Sequence, residues 1–445
     1  MAWRKIILKG QVKSLSPLHI GSGSDDNSDM DILRDENGIP FIPATAFVGI
    51  LNHSLRLRKA DEKKYQDELK RFWGFSEKKE GHQSMFRCSD LLLSKDSSPE
   101  IIIRDGVRID NKTGRAKDKG KYDYEILERG TKFNLKAEFS YKASDKAFVE
   151  KMVATICAML KTGIQIGAKT NSGLGEIKLP EDQTKIYQFD FSDKKDVFYW
   201  LTERFYQKSP VFLTNLEEPF ETINNPFCIT ATLQLKNSLI VRSYSDDPKM
   251  PDATHTKSLE DWILSGTSLK GAIRARAERI VNTFGKKNTT IIENLFGKVD
   301  DEKQDKNAKK GKIRVRETIL PRFVAELQTR IRIDRFSGGT IEGALFDTMP
   351  LFGNLGDKAV RIEMNVRDCE EWEAGLLLLV LKDLWSGDLP VGGEKNVGRG
   401  VFQGISAIIE WNDEQMVIGK DLSRVPDDNR EKLQGYVDAL ISENR

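Results

Sequence analysis

The 445-residue sequence predicts an α+β protein built as two tandem copies of one domain. Two observations carry that prediction: five landmarks recur in the same order at nearly one spacing, and each copy runs through the same succession of strand and helix patterns. "VRIDNKTG" at Val107–Gly114 returns as "IRIDRFSGG" from Ile331, with Asp110 and Asp334 224 apart. "GAKTNSGLGEI" from Gly167 returns as "GEKNVGRGVF" from Gly393, at 226. Thr45 in "PATAFVGIL" answers Thr267 in "SGTSLKGAI" at 222, and Gly74 in "RFWGF" answers Gly297 in "NLFGK" at 223. Asp25 in "PLHIGSGSDD" lies over Asp246 in "SLIVRSYSDD" at 221. The first copy is expected over 1–182 and the second over 226–445, joined by a linker, 183–225, with its own short helix, "VFYWLTERFY".

Each copy opens on an alternating strand, "IILKGQVKSL" or "FCITATLQLKNSLIV". A helix follows; in copy two Leu269, Ile273, Ala277, Ile280 and Phe284 form an apolar stripe, while Lys270 and Arg274 share another face. A middle section of hairpin character comes next, from "IIIRDGVRIDNKTG" to "KFNLKAEF" in copy one. A second apolar helix, at about 149–163 or 370–386, runs into a glycine loop and a last strand. Strand, helix, two strands, helix, strand is the βαββαβ order of a ferredoxin-like domain. Residues Lys298–Lys312, nearly all polar or charged, predict a mobile loop.

Composition narrows the function classes. With 39% hydrophobic and 31% charged residues and a net charge of +2, any nucleic-acid site must be a local patch on a balanced molecule. Cys88, Cys157, Cys228 and Cys369 lie far apart with no C-x-x-C pair, which argues against zinc and disulfides and fits a reducing cytoplasm. "MAWRKIILKGQV" begins a strand rather than an apolar leader. "WEAGLLLLVLKDLW" is too short and too charged at its ends to span a bilayer, so a buried core helix is expected and no membrane partner.

Residues 24–37 hold six acids and one arginine just after "PLHIGSG". Such a run is either a solvated loop or a place where carboxylates handle a metal or a proton. Beside a polyanion, carboxylates need a divalent cation or a proton between them. The glycine loops are not P-loops, because they follow a helix and precede a strand. Their glycines still allow close backbone approach to phosphates, with Lys169, Asn171, Lys395, Asn396 and Arg399 as donors. Lys270 and Arg274 lie near a helix N-terminus, where main-chain N–H groups also favour phosphate; Val48 replaces the lysine in copy one. The hairpin from Arg104 to Lys121 carries seven basic and three acidic residues.

"PFIPATAFVGILNHSLR", "GTSLKGAIRARAE", "RDGVRIDNKTG" and the paired glycine loops resemble the RAMP superfamily of CRISPR-associated RNA-binding proteins. The likeness is greatest to the repeating backbone subunits of type III (Csm/Cmr-like) effector complexes, here fused in tandem as in type III-D systems. The resemblance implies, for each copy, a ferredoxin-like (RRM-like) palm and a hairpin thumb that kinks the guide–target duplex. It implies a basic groove for CRISPR guide RNA, a complementary target RNA, and as partners a large polymerase/cyclase-type subunit and other RAMP subunits. It also implies that an Asp five residues before an Arg supports cleavage of the target with a divalent cation, Mg2+.

Asp29 stands five before Arg34 and takes that catalytic and metal-binding role by motif, with Asp31 next in line. In copy two the offsets of 221 and 222 place Asp252 over Asp31 or one residue from the counterpart of Asp29, which makes it the candidate, with Asp247 as fallback; Asp246 and Asp247 align with Asp25 and Asp26 instead. The family pattern further places RNA against His19, Gly21, Gly23 and the hairpin arginines Arg108 and Arg332. His19 has Ile240 as its counterpart, so it serves no mechanism shared by both copies. Two rival readings follow from the same superfamily. A guide-processing endoribonuclease would cleave precursor RNA without metal, and a scaffold would bind RNA and cut nothing.

Overall fold

The computed structural model describes the chain apart from residues 1–2, 24–27, 57–62, 78–79, 112, 222–224, 245–246, 248, 285–288, 299–308, 354–358, 421–424 and 444–445. It divides into two compact units. Unit 1 comprises Met1–Ile103, Asp123–Thr170 and Leu174–Asn224; unit 2 comprises Arg104–Tyr122, Asn171–Gly173 and Asn225–Arg445.

In unit 1 the strand Trp3–Ser14 lies at the centre of an antiparallel sheet. It pairs along its length with Lys132–Lys142, from Trp3↔Lys142 to Lys13↔Lys132. Its other edge takes Glu176–Lys178 at Lys13–Ser14 and Lys185–Asp190 at Arg4–Lys9. Phe86–Cys88 adds to the far side of Lys132–Lys142. Numbered along the chain, the four repeat strands lie 4-1-3-2, an order compatible with the ferredoxin-like fold. Ile6, Leu8 and Val12 face a core shared with Phe47, Leu51 and Leu55 of helix Ala44–Arg56 and with Val149, Met152 and Val153 of helix Lys146–Thr162. Each such side chain contributes about 1.5–3 kcal/mol by leaving water.

The segment 183–225 does more than join the copies. "KIYQFD" (Lys185–Asp190) is a sheet strand of unit 1, and Asp193 caps the helix Lys194–Leu201 by accepting from the N–H of Lys195. Tyr187, Phe189 and Phe205 close over Ile7 on the opposite sheet face.

Unit 2 repeats the plan around Phe227–Leu235, whose side chains alternate buried and half-buried. Ala359–Val366 and Phe402–Trp411 flank it, with Ile313–Val315 and Glu414–Gly419 outside them. The first four again lie 4-1-3-2, and Glu414–Gly419 is an added edge. Helix Glu371–Ser386 starts at a capping box between Glu370 and Glu373 and ends at Gly387, φ 90°. Helix Asp427–Glu443 packs on it closely: a Cβ on Gly375 would lie 2.0 Å from the carbonyl oxygen of Tyr436.

The landmark pair Asp110 and Asp334 proves to be a hairpin tip made twice. Ile101–Ile109 pairs with Ala116–Leu127, and Gln328–Ile333 with Thr340–Met349. At the tips Asp110 Oδ1 accepts from the N–H of Thr113, and Asp334 Oδ1 from the N–H groups of Phe336 and Ser337. Of the expected mobile loop Lys298–Lys312, residues 299–308 lie outside the described residues, while Lys298 and Lys309 pair across its ends. Among the described residues no helix is long and apolar enough to cross a membrane.

Candidate nucleic-acid interface

The acidic loop of unit 1 closes a short ribbon in which Gly21 pairs with Ile32 and Gly23 with Asp31. Gly21 and Gly23 are therefore ladder residues; Asp25 and Asp26 lie outside the described residues. Asp29 is exposed. Its N–H donates to Asp123 Oδ1 at 2.8 Å, and the N–H of Asp123 donates back to Asp29 Oδ2 at 3.1 Å. Asp123 stands on the returning hairpin strand Ala116–Leu127.

Asp31 is placed differently from the expectation. It is 2% exposed, and its Oδ1 accepts from Ser28 Oγ at 2.5 Å. Its Oδ2 is buried without a hydrogen bond among the described residues. A carboxylate so enclosed is not presented to an RNA phosphate, which corrects its assignment as a catalytic candidate.

Unit 2 rebuilds the ribbon without glycines, pairing Arg242 with His255 and Ser243 with Thr254. Asp252 is exposed, and its Oδ2 accepts from the N–H of Asp347 at 2.8 Å. Asp347 lies on the returning strand Thr340–Met349, 95 residues on from Asp252, as Asp123 lies 94 on from Asp29. Asp252 thus shares with Asp29 the amide donor on the returning strand. Asp247 is exposed and caps a turn, its Oδ1 accepting from the N–H of Lys249 at 3.0 Å. Asp246 lies outside the described residues.

Among the described residues no group of three or more His, Cys, Asp or Glu side chains is placed to hold a metal ion. Mg2+ commonly takes only one or two carboxylates and leaves the rest of its shell to water and substrate phosphates. Asp29 fits that demand: it is exposed, and its Oδ1 makes no hydrogen bond among the described residues.

The glycine loops close on the first strand's continuation in the same way twice. The N–H of Ala168 donates to the carbonyl oxygen of His19, and that of Gly393 to Ile240, both at 2.8 Å. Gly175 (φ 84°) and Gly400 (φ 73°) sit where a Cβ would lie 2.1 Å from the oxygen of Ile166 and 1.8 Å from that of Val391. These glycines are required by close packing as well as by backbone angle. Gly400→Ala is expected to lower stability by about 2–4 kcal/mol, read as a fall in the melting temperature of the full chain. Melting unchanged from wild type would mean that the loop relaxes around a methyl group.

The loops differ in charge at their left-handed residue, Lys169 (φ 54°) in one and Glu394 (φ 54°) in the other. Lys169 Nζ lies 4.2 Å from the centroid of the Tyr124 ring, and burial brings its pKa down to about 8. The Glu394 carboxylate, 6% exposed, receives Arg399 at 2.7 Å, Arg330 at 2.9 Å and Arg242 at 3.1 Å. Burial alone would raise its pKa, but the three guanidinium groups outweigh burial and hold it below the usual carboxylate range.

Several expected RNA contacts turn inward. Arg399 is 3% exposed, with Nε on Glu394, Nη1 on Ser238 and Nη2 on Gln328, so its donors are spent inside unit 2. His19 is 2% exposed, and its Nδ1 donates to the carbonyl oxygen of Glu125 at 2.7 Å. Asn171, counted with unit 2, donates to the carbonyl oxygen of Gly311 at 2.7 Å. Lys395 and Asn396 stay exposed at the loop, and Arg108 and Arg332 on the hairpins.

Lys270, like Lys169, is a partly desolvated cation. It follows the N-cap Ser265 on helix Gly266–Thr283. Burial, with Arg274 and Lys310 nearby, brings its pKa down to about 8. Lys310 is likewise lowered, by burial and by Arg367. Arg274 is partly offset by Glu278, which accepts from its Nε at 3.0 Å. Crowded, partly desolvated cations of one sign are relieved by phosphate. In unit 1 Val48 packs against the core instead. Asp123, Asp347, Glu394 and Lys310 were not singled out by sequence: Asp123 and Asp347 are far along the chain from the acids they meet, and Glu394 and Lys310 are ordinary charged residues among others.

A family model described as the RAMP superfamily matches residues 11–178 and again residues 232–403. No curated protein matches the chain. The two matches take in the end of the first strand, the acidic ribbon and the glycine loop of each copy, and the chain belongs to the RAMP superfamily, as a tandem of two such domains.

Proposed function

We propose that the chain is a guide-RNA-binding backbone subunit of a type III CRISPR effector complex, filling two adjacent positions, and that each half cuts target RNA at one acid. The observation that carries this reading is the exposed aspartate made twice. Asp29 and Asp252 each stand in the loop of a short ribbon and take the N–H of an aspartate on the returning hairpin strand. Membership of the superfamily supports CRISPR-associated RNA binding.

In this reading each sheet with its helices is a palm and each hairpin a thumb. Guide RNA is held through phosphate and 2′-hydroxyl contacts, without reading of sequence, because base pairing carries specificity. Lys270, Arg274 and Lys395, with Lys169 and the hairpin residues Arg108 and Arg332, supply the cations. Target RNA is cut by attack of a 2′-hydroxyl on the neighbouring phosphate, with the kink beside the thumb holding the attacking oxygen in line. Asp29 and Asp252 would hold a divalent cation, Mg2+, which when bound neutralises charge developing on the phosphate. In this reading each carboxylate would also be the group that accepts the proton of the attacking hydroxyl. The partners are guide RNA, complementary target RNA, a large polymerase/cyclase-type subunit and other RAMP subunits.

The test is to purify the complex through this chain, sequence its RNA and incubate it with labelled complementary RNA. Two cuts one backbone step apart are expected with magnesium; EDTA should remove both and leave the guide bound. Target bound and left intact in magnesium would favour the scaffold. Cleavage of precursor guide RNA in EDTA would favour the processing enzyme.

A further inference from the structure

We infer that Asp123 is a positioning residue for Asp29, fixing which carboxylate oxygen faces the RNA; the inference rests on the reading that Asp29 cuts. Asp29 lies on an exposed loop, where an aspartate side chain turns about two bonds at little cost. Two hydrogen bonds remove that freedom. The Asp123 carboxylate anchors the main chain of Asp29 at 2.8 Å, and the Asp123 N–H anchors its Oδ2 at 3.1 Å. With Oδ2 engaged, Oδ1 is the oxygen left for an ion or a proton.

Asp123 itself stands in the strand Ala116–Leu127, whose next residues Tyr124, Glu125 and Ile126 are buried. The loop acid is thereby referred to the rigid part of unit 1 rather than to its own loop. Unit 2 shares the main-chain half of the arrangement, with the N–H of Asp347 on Asp252 Oδ2 at 2.8 Å. The side-chain half differs: Asp347 Oδ1 is buried without a hydrogen bond among the described residues. The amide-to-carboxylate bond is therefore common to both units, and in unit 1 the returning carboxylate bond holds the loop where the amide bond can form, which is the part that the side chain at 123 controls.

A positioning role requires an acceptor at residue 123, not a negative charge, and that separates it from a role as a second metal ligand. The test uses the full complex with guide RNA, a labelled complementary target and magnesium, comparing wild type, Asp123→Ala, Asp123→Asn and Asp29→Ala. Single-turnover rate and target affinity are both measured. Asp123→Ala is expected to slow the Asp29-dependent cut roughly 10- to 100-fold, the usual cost of loosening an oriented ligand, with affinity unchanged. Asp123→Asn keeps an acceptor oxygen and should stay within about threefold of wild type, since one neutral hydrogen bond replaces a charged one. The inference is overturned if Asp123→Ala cuts at the wild-type rate, or if Asp123→Asn falls as far as Asp123→Ala. Loss of affinity in step with rate would also overturn it, as a general structural role. Should Asp29→Ala itself keep the cut, the underlying reading fails, whatever Asp123 does.

Discussion

Replacing Asp29 by alanine is expected to erase one cut in the target RNA, slowing it roughly 10²- to 10⁴-fold, the range supplied by a positioned acid–base group. Guide retention and target affinity should be nearly unchanged, because Asp29 is exposed and its side chain is held by the main chain of one strand residue, Asp123. Asp252→Ala should erase the second cut, and the double mutant both. The second half has the matching acid, the matching amide donor on Asp347 and a ribbon pairing Arg242 with His255. The decisive measurement is the fragment pattern of a labelled target with each variant. If Asp29→Ala alone removes every cut assignable to this chain, unit 2 only binds. If binding falls as far as cutting, the loop is structural.

The second large effect concerns Lys270. Its pKa, held near 8 by burial and by Arg274 and Lys310, should rise when a phosphate arrives. The sign follows from that difference. A group bound with a raised pKa contributes its full affinity below the free value, and that contribution is lost as pH rises through about 8 toward the bound value. Guide affinity should therefore weaken by up to about tenfold per pH unit above pH 8, since one pKa unit corresponds to about 1.4 kcal/mol. Lys270→Arg should flatten this dependence, because a guanidinium stays charged. Lys270→Ala should weaken binding of any guide sequence alike and reduce the log–log salt slope by roughly 0.7–0.9. A slope identical to wild type would place Lys270 away from the RNA.

The architecture was largely legible because it is written twice. A nearly constant offset survives only if both copies preserve similar element lengths, and two of the landmarks prove to be points of fixed geometry: a hairpin tip at Asp110 and Asp334, a tight closure at the glycine loops. The strand Lys185–Asp190 left a faint signal, since "KIYQFD" carries apolar residues at Ile186, Tyr187 and Phe189. What sequence could not supply was the direction of individual side chains. Arg399, His19 and Asp31 are residue types that usually meet water, yet each is buried, His19 against the carbonyl of Glu125 and Arg399 against Ser238 and Gln328, all far away in sequence. Asp123 escaped notice for the same reason: its partner lies 94 residues earlier, and no local periodicity records that meeting.

The contrast between Lys169 and Glu394 means that the two glycine loops are not interchangeable parts. Glu394 is a carboxylate on which three guanidinium groups converge, and Arg399 among them is enclosed. A lysine grafted there from the first loop would set a fourth cation against them, at a cost of roughly 3–5 kcal/mol for a broken buried pair. Two stretches of chain with the same backbone path thus carry opposite electrical demands, and a swap that keeps every turn in place would still fail on charge.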